Sequence, residues 1–220
     1  MTDNKKKVTF VFDLDGTLVD TARINLDIMF DMLSARGGSP SERSAYLNYM
    51  STGGEDLVGA VLGNFSTNLK MEVAEFRERL RTTVVPADHV YEGIISLLNL
   101  LRSNHHNIGV CTNKPQLLAE KTLSDVSLND YVDCIIGSDP SRPKKPNLEM
   151  MKEVERYLKC NPAEVVFVGD SEIDHQTAHN YGSRYIHLNH GYGEVDLSLT
   201  QPLNIFDRVD EEAMRYFATF

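Results

Sequence analysis

Hydrophobic positions along the chain follow two different periods. Val8-Thr9-Phe10-Val11-Phe12 is an almost unbroken run of β-branched and aromatic residues, closed by Asp13 and Gly16. That pattern predicts a strand buried on both faces and cut off by a loop. Ile24, Ile28 and Leu33 then recur at roughly helical spacing over residues 21 to about 35, and Gly37-Gly38-Ser39-Pro40 stops that helix. No strand pattern occurs between residues 41 and 85. Ser41 to Met50, Glu55 to Leu62 and Leu69 to Arg81 read as helices, with Gly53-Gly54 and Gly63-Asn64 as breaks and Pro86 as the end of the run. From residue 87 the rhythm changes. Ile94, Ile95, Leu97, Leu98 and Leu101 form an apolar helix face. Strands are predicted at Ile108–Cys111, Val132–Ile136, Val165–Val168 and Tyr185–Leu188. Helices are predicted at Pro115–Val126, with Pro115 suited to a first turn, and at Leu148–Leu158, Glu172–Tyr181 and Asp210–Phe220. Strands alternating with helices imply βαβ units and a parallel sheet. The predicted organisation is an α/β core, residues 1–20 and 86–220, interrupted after its first strand by a helical module, residues 21–85. No internal repeat or low-complexity segment is apparent.

The 220 residues suffice for one large domain, or one domain with a sizeable insert. Hydrophobic residues make up 41% and charged residues 25%, which excludes a disordered chain. The formal charge of −10 makes the chain a poor non-specific ligand for nucleic acid or anionic membranes. Cys111, Cys134 and Cys160 form no CxxC pair, and their odd number suits a reducing compartment. Met1 to Lys7 is polar and then basic, and the apolar stretch after it is too short for a signal-peptide core or a membrane span. The expectation is a cytoplasmic protein with no nucleic-acid or membrane partner, as a monomer or homodimer.

In open parallel sheets, ligands bind beyond the carboxyl ends of the strands, so the polar residues there carry the candidate chemistry. Asp13 and Asp15 are two residues apart on extended backbone, where both can point to one side. One could attack an electrophile while the other delivers a proton; the same residues also fit a solvated Asp-Gly turn. Thr112-Asn113-Lys114-Pro115 offers a hydroxyl and backbone N–H groups to an anionic oxygen, or a plain helix cap. Arg142-Pro143-Lys144-Lys145-Pro146 offers a lysine to a phosphate, or a solvated basic loop. Asp170 and Asp174 could complete an oxygen-rich Mg²⁺ site, or complement a helix dipole. A carboxylate pair, a hydroxyl, a lysine and a second carboxylate pair at successive strand ends favour chemistry over four unrelated structural roles.

The chain resembles the haloacid dehalogenase superfamily of phosphohydrolases, whose motifs occur in order as Asp13-x-Asp15-Gly16-Thr17, Thr112, Lys145 and Gly169-Asp170-x-x-x-Asp174. The likeness covers nearly the whole chain and implies a Rossmann-like core with a small helical cap. Leu18-Val19-Asp20-Thr21, Thr112-Asn113-Lys114-Pro115, Lys144-Lys145-Pro146 and Gly191-Tyr192-Gly193 resemble the phosphoglycolate phosphatase-like members in particular; Leu148 stands where close relatives carry a second proline. The resemblance implies that Asp13 is a nucleophile forming an aspartyl-phosphate and that Asp15 is the acid and base. It also implies that Asp13, Asp170 and the Asp15 carbonyl hold Mg²⁺, with Asp174 as outer support. Thr112 and Asn113 would hold the substrate phosphate. Lys145, which directly precedes Pro146, is assigned to the site over Lys144, to offset charge on the nucleophile and the phosphoryl group.

The implied function is Mg²⁺-dependent hydrolysis of a small phosphorylated metabolite, phosphoglycolate-like. Two alternatives share the motifs: a sugar phosphomutase resembling β-phosphoglucomutase, and a non-catalytic sensor of a phospho-ligand. Thr17 stands where those mutases more often carry valine, and the dehalogenase and phosphonatase branches lack the second aspartate that Asp15 supplies. Among other residues, His175 and His179 read as helix-surface histidines, His105-His106 as a polar loop and Cys111 as a buried hydrophobe. Arg23 reads as a solvated helix arginine. Gly53-Gly54-Glu55 fits either a substrate-touching loop or a helix break.

Overall fold

The computed structural model describes residues 7–220; the polar stretch that starts at Met1 lies outside the described residues except for Lys7. Six strands form one parallel sheet in the order β3-β2-β1-β4-β5-β6. They are β1 (Thr9–Phe12), β2 (Asn107–Pro115), β3 (Cys134–Ser138), β4 (Val165–Gly169), β5 (Arg184–Leu188) and β6 (Asn204–Phe206). The helices are α1 (Ala22–Ser34), α2 (Gly54–Leu62), α3 (Leu69–Thr82), α4 (Ile94–Ser103), α5 (Gln116–Asp125), α6 (Glu149–Leu158), α7 (Glu172–Tyr181) and α8 (Glu211–Phe217).

Strand alternation explains the two faces of the sheet. Phe10, Phe12, Val110 and Val168 point to one side, into a core with Leu97, Leu98 and Leu101 of α4, Leu123 of α5 and Phe217 of α8. Val11, Cys111 and Phe167 point to the other, against Met150, Met151 and Val154 of α6 and Ala178 of α7. Residues that alternate along a strand yet are all apolar are what a sheet covered on both faces requires. The segment between β1 and α4 has an apolar cluster of its own, built from Leu26, Met29 and Met32 of α1, Leu57, Val58, Val61 and Leu62 of α2, and Val73 and Phe76 of α3.

The strand order reverses between β1 and β4, and parallel sheets open a crevice at such a switch point. The backbone N–H of Asp13 donates to the Val168 carbonyl at 2.9 Å, which holds the end of β1 against β4 right there.

Several elements differ from their predicted form. Residues 41–50 do not make an α-helix; Arg43–Tyr49 is a 3₁₀ helix with no buried residue, so no apolar stripe repays a regular helix. Strand β2 runs on past Cys111 through Thr112, Asn113 and Lys114, which are polar but buried. Pro115 therefore ends a strand instead of opening a helix. The three-residue edge strand β6 was not predicted. Asp210 caps α8, its side chain accepting from the Glu212 and Ala213 N–H groups at 2.9 and 3.2 Å. His175 is not on the surface: it is buried, stacked on Tyr185 and bonded through Nε2 to the Thr200 carbonyl at 2.6 Å. His106 is buried too, and its Nδ1 accepts from the Val8 N–H at 3.3 Å.

The seat of α4 depends on Gly93, the residue before its first turn, at φ +83°. A Cβ there would lie 2.0 Å from the Val209 carbonyl oxygen. Both the left-handed backbone and the backbone contact exclude a side chain. Gly93→Ala is expected to lower stability by about 2–3 kcal/mol, read as a fall in the urea unfolding midpoint. An unchanged midpoint would show that the chain around Val209 yields freely.

Candidate active site

The site is assembled from the carboxyl ends of three strands and the loop before α6. β1 leads directly into Asp13, the end of β2 carries Thr112, Asn113 and Lys114 before Pro115, and β4 leads directly into Asp170. Lys145 enters from the loop between β3 and α6. Asp13, Thr112, Lys145, Asp170 and Asp174 are all buried.

Lys145 is the centre of the cluster. Its Nζ lies 2.9 Å from Asp13 Oδ1 and 2.6 Å from Asp174 Oδ1, and it donates to the Cys111 carbonyl at 3.0 Å. Burial opposes the charge on this ammonium, but the facing Asp13 and Asp174 more than reverse that, so its pKa lies well above the ordinary lysine value. Lys144 goes elsewhere: its Nζ donates to the Thr52 carbonyl at 2.9 Å. Of the adjacent lysines, Lys145 alone meets the carboxylates.

Asp174 has both oxygens engaged. Oδ1 faces Lys145, while Oδ2 accepts from Ser171 Oγ at 2.7 Å and from the backbone N–H groups of Asp170 and Ser171 at 3.2 Å. With Ser171 Oγ accepting from the Asp174 N–H, this is a capping box at the start of α7. Helix initiation and lysine pairing thus use the same carboxylate.

Asp170 is gripped from the other side. Thr17 Oγ1 donates to Oδ1 at 2.7 Å, and the Tyr192 N–H donates to Oδ2 at 2.8 Å. The chain comes so close that a Cβ on Gly16, at φ +88°, would sit 2.4 Å from Oδ2. The Tyr192 hydroxyl reaches further, donating to Asp20 Oδ1 at 3.0 Å and accepting from the Ala22 N–H at 2.9 Å.

Asp13, Asp170 and Asp174 each place an oxygen within 4.8 Å of the others. Burial pushes Asp13 up to about 7, with Lys145 pulling it back and Asp174 and Asp15 adding to the rise. Burial also raises Asp170 well above the carboxylate range, reinforced by Asp174 and Asp13. One ammonium does not balance this much buried negative charge. Asp13 Oδ1 has the Lys145 ammonium at 2.9 Å as its polar neighbour among the described residues. Hard carboxylate oxygens short of positive charge fit a divalent cation such as Mg²⁺.

Asp15 stands apart from the acidic cluster. Its Oδ1 accepts from Thr21 Oγ1 at 2.6 Å and from Lys114 Nζ at 2.8 Å. Asn113, expected against the substrate, holds neighbours in place: Oδ1 accepts from the Lys145 N–H at 2.6 Å, and Nδ2 donates to the Ser51 carbonyl at 3.0 Å. Thr112 Oγ1 accepts from the Lys114 N–H at 3.2 Å. Arg23 pairs with Asp20 on the surface at 2.9 Å. Burial pushes the Cys111 thiol up to about 12, which removes it as a nucleophile.

A cleft of about 650 Å³ opens over these residues. Asp13, Asp15, Thr112 and Lys114 line its floor, and Leu57, Phe76, Arg77 and Leu80 of α2 and α3 line the facing wall, with Gly53-Gly54 at the side. Sequence reasoning gave no role to Thr17, Lys114, Ser171 or Tyr192. Lys114 and Tyr192 lay inside quoted motifs, but nothing local signals their partners.

Comparison with known proteins agrees with this geometry. Residues 10–188 match the sequence profile of the family described as haloacid dehalogenase-like hydrolase. A phosphoglycolate phosphatase of Rhodobacter capsulatus is 33% identical over 192 residues, covering 85% of this chain and 86% of the relative. An N-acetylmuramic acid 6-phosphate phosphatase of Pseudomonas putida is 29% identical over 184 residues, covering 83% and 82%. Among solved structures, a haloacid dehalogenase-like family hydrolase from Streptococcus pneumoniae superposes with a TM-score of 0.81 at 23% identity, covering 96% of this chain and 98% of the other. A profile spanning most of the chain and a relative of this identity and coverage make the protein a member of the haloacid dehalogenase-like hydrolase family.

Proposed function

We propose that the protein is a Mg²⁺-dependent phosphatase that hydrolyses a small, phosphoglycolate-like phosphomonoester through an aspartyl-phosphate on Asp13. The observation that carries this reading is the cluster of Asp13, Asp170 and Asp174 around the single ammonium of Lys145 at the sheet's switch point. The phosphatases among its relatives support it.

In this reading an Asp13 carboxylate oxygen attacks phosphorus and the bond to the ester oxygen breaks. Asp15 gives its proton to that oxygen, so an alcohol leaves. A water then attacks the phosphorus of the aspartyl-phosphate while Asp15 takes the water's proton, and inorganic phosphate departs with Asp13 restored. Lys145 offsets charge on Asp13 and on the phosphoryl oxygens, and Thr112 with nearby N–H groups holds those oxygens. Asp13, Asp170 and the Asp15 carbonyl would hold Mg²⁺, which when bound supplies charge neutralisation for the transferring phosphoryl group. Asp174 orients Lys145 and its own helix end. The helical segment 21–85 serves as a cap that excludes water during transfer. Its loop already meets the core through Asn113 to Ser51 and Lys144 to Thr52.

Phosphate release from a panel of small phosphomonoesters is expected to require Mg²⁺ and to fall by about 10³-fold or more in Asp13→Asn. Release that survives chelation or this substitution would sink the reading. Transfer of phosphate between sugar hydroxyls without release would indicate a mutase, and binding without turnover a sensor.

Charge balance gives a second test, independent of turnover. Lys145→Met leaves the buried carboxylates unopposed and is expected to cost about 3 kcal/mol without a divalent cation. Added Mg²⁺ should raise the melting temperature of this variant more than that of the wild type. Equal Mg²⁺ shifts in both proteins would show that Lys145 and the cation do not balance the same carboxylates.

A further inference from the structure

The cationic side chains around the cleft differ in what already holds them. Lys145 is engaged by Asp13, Asp174 and the Cys111 carbonyl. Lys144 lines the cleft half-buried and donates to the Thr52 carbonyl, in the loop before α2 and away from Asp15. On α3, Arg79 pairs with Glu75 and Arg81 with Glu78, whereas Arg77 is exposed at the cleft wall with no partner among the described residues.

Lys114 is the exception among the buried cations. It lies on the cleft floor beside Asp13 and Thr112, with its side chain 7% exposed. Its ammonium meets one acceptor among the described residues, Asp15 Oδ1 at 2.8 Å. An ammonium has three N–H donors, so donor capacity remains at a buried position that borders the cleft. Asp15 does not depend on Lys114 alone, because Thr21 Oγ1 donates to the same Oδ1 at 2.6 Å. The pair is therefore arranged so that Lys114 can turn to a second acceptor while Asp15 keeps a donor.

We propose that Lys114 is the specificity residue of this site and reads an anionic group carried by the substrate's alcohol next to the ester oxygen. This rests on the phosphatase reading above and narrows it to phosphomonoesters of small hydroxy acids, over those of neutral alcohols and sugars. Asp15 serves the leaving oxygen, and Lys114 lies at hydrogen-bond distance from Asp15, so a carboxylate on the adjoining carbon falls within reach of its free N–H groups. On the wall opposite, Leu57, Phe76 and Leu80 are apolar, and Arg77 is its one charged residue among the described residues. Arg77 and Lys144 are the other cations that line the cleft, and their places on α3 and beside Thr52 suit an anion farther from phosphorus.

The test compares kcat/KM for phosphoglycolate with that for ethyl phosphate, which has the same carbon count and no carboxylate. Charge-assisted hydrogen bonding predicts a wild-type preference for phosphoglycolate of about 10–100-fold. Lys114→Met should collapse that ratio toward one, chiefly through the KM for phosphoglycolate, and Lys114→Arg should retain part of it. Losses that act on both substrates through Asp15 cancel in the ratio. Arg77→Gln should leave the ratio as it is. No preference in the wild type, a ratio that survives Lys114→Met, or a collapse in Arg77→Gln instead would each overturn the assignment. Asp13-dependent hydrolysis of both esters without preference would remove Lys114 from this role and leave the phosphatase standing. Absence of release from either ester, or from any member of the wider panel, would remove both.

Discussion

The contact between the Lys145 ammonium and the carboxylates of Asp13 and Asp174 is what the rest of the site is organised around. Three aspartates buried within a few ångströms of one another repel, and each pays for desolvation. A protein chain tolerates that arrangement only where opposite charge is supplied. Lys145 supplies one such charge, while burial and the neighbouring carboxylates still hold Asp13 and Asp170 above the ordinary carboxylate value. The concentration of buried charge is therefore a property of the folded sheet, which brings residues 13, 145, 170 and 174 together.

Sheet and site are coupled at each of these positions. Asp13 is fixed because its N–H completes the pairing of β1 with β4. Asp174 is fixed because it caps α7. Lys145 is fixed because Asn113, at the end of β2, accepts its backbone N–H. The side chains with proposed chemical roles are thus held by the hydrogen bonds that end secondary structure elements, which gives precise placement without extra scaffolding.

Much of the fold could be read from the chain because β1 and β4 are short runs of mostly apolar residues and helical patterns alternate with the strands. Where the signal failed, the reason was local. The end of β2 is Thr112, Asn113 and Lys114, polar residues buried for the site's sake, so hydropathy cut the strand short. Residues 204–206 are too few to show a period. The stretch Arg43–Tyr49 offers only Tyr46 and Leu47, both partly buried, against the neighbouring apolar cluster, too little to hold a regular helix. The motif residues Asp13, Asp15, Thr112, Lys145, Asp170 and Asp174 lay in short motifs at or after the strands and could be named in advance. Their partners could not. Lys114 meets Asp15 across 99 residues of sequence, and Tyr192 meets Asp20 across 172. Likewise the spacing of His175 and His179 said only that they share a helix face, not that the segment around Thr200 covers it.

Tyr192 joins two parts of the molecule that are usually considered separately. Its backbone steadies Asp170, and its hydroxyl bridges Asp20 and the first turn of α1. The connector into the helical segment is thereby tethered to the same residue that holds Asp170 of the acidic cluster. Swinging α1 away from the sheet means either breaking that bridge or pulling on the loop that grips Asp170. Opening of the cleft and the placement of Asp170 are consequently not independent in this protein: the strength with which the acidic cluster is held sets part of the resistance to opening.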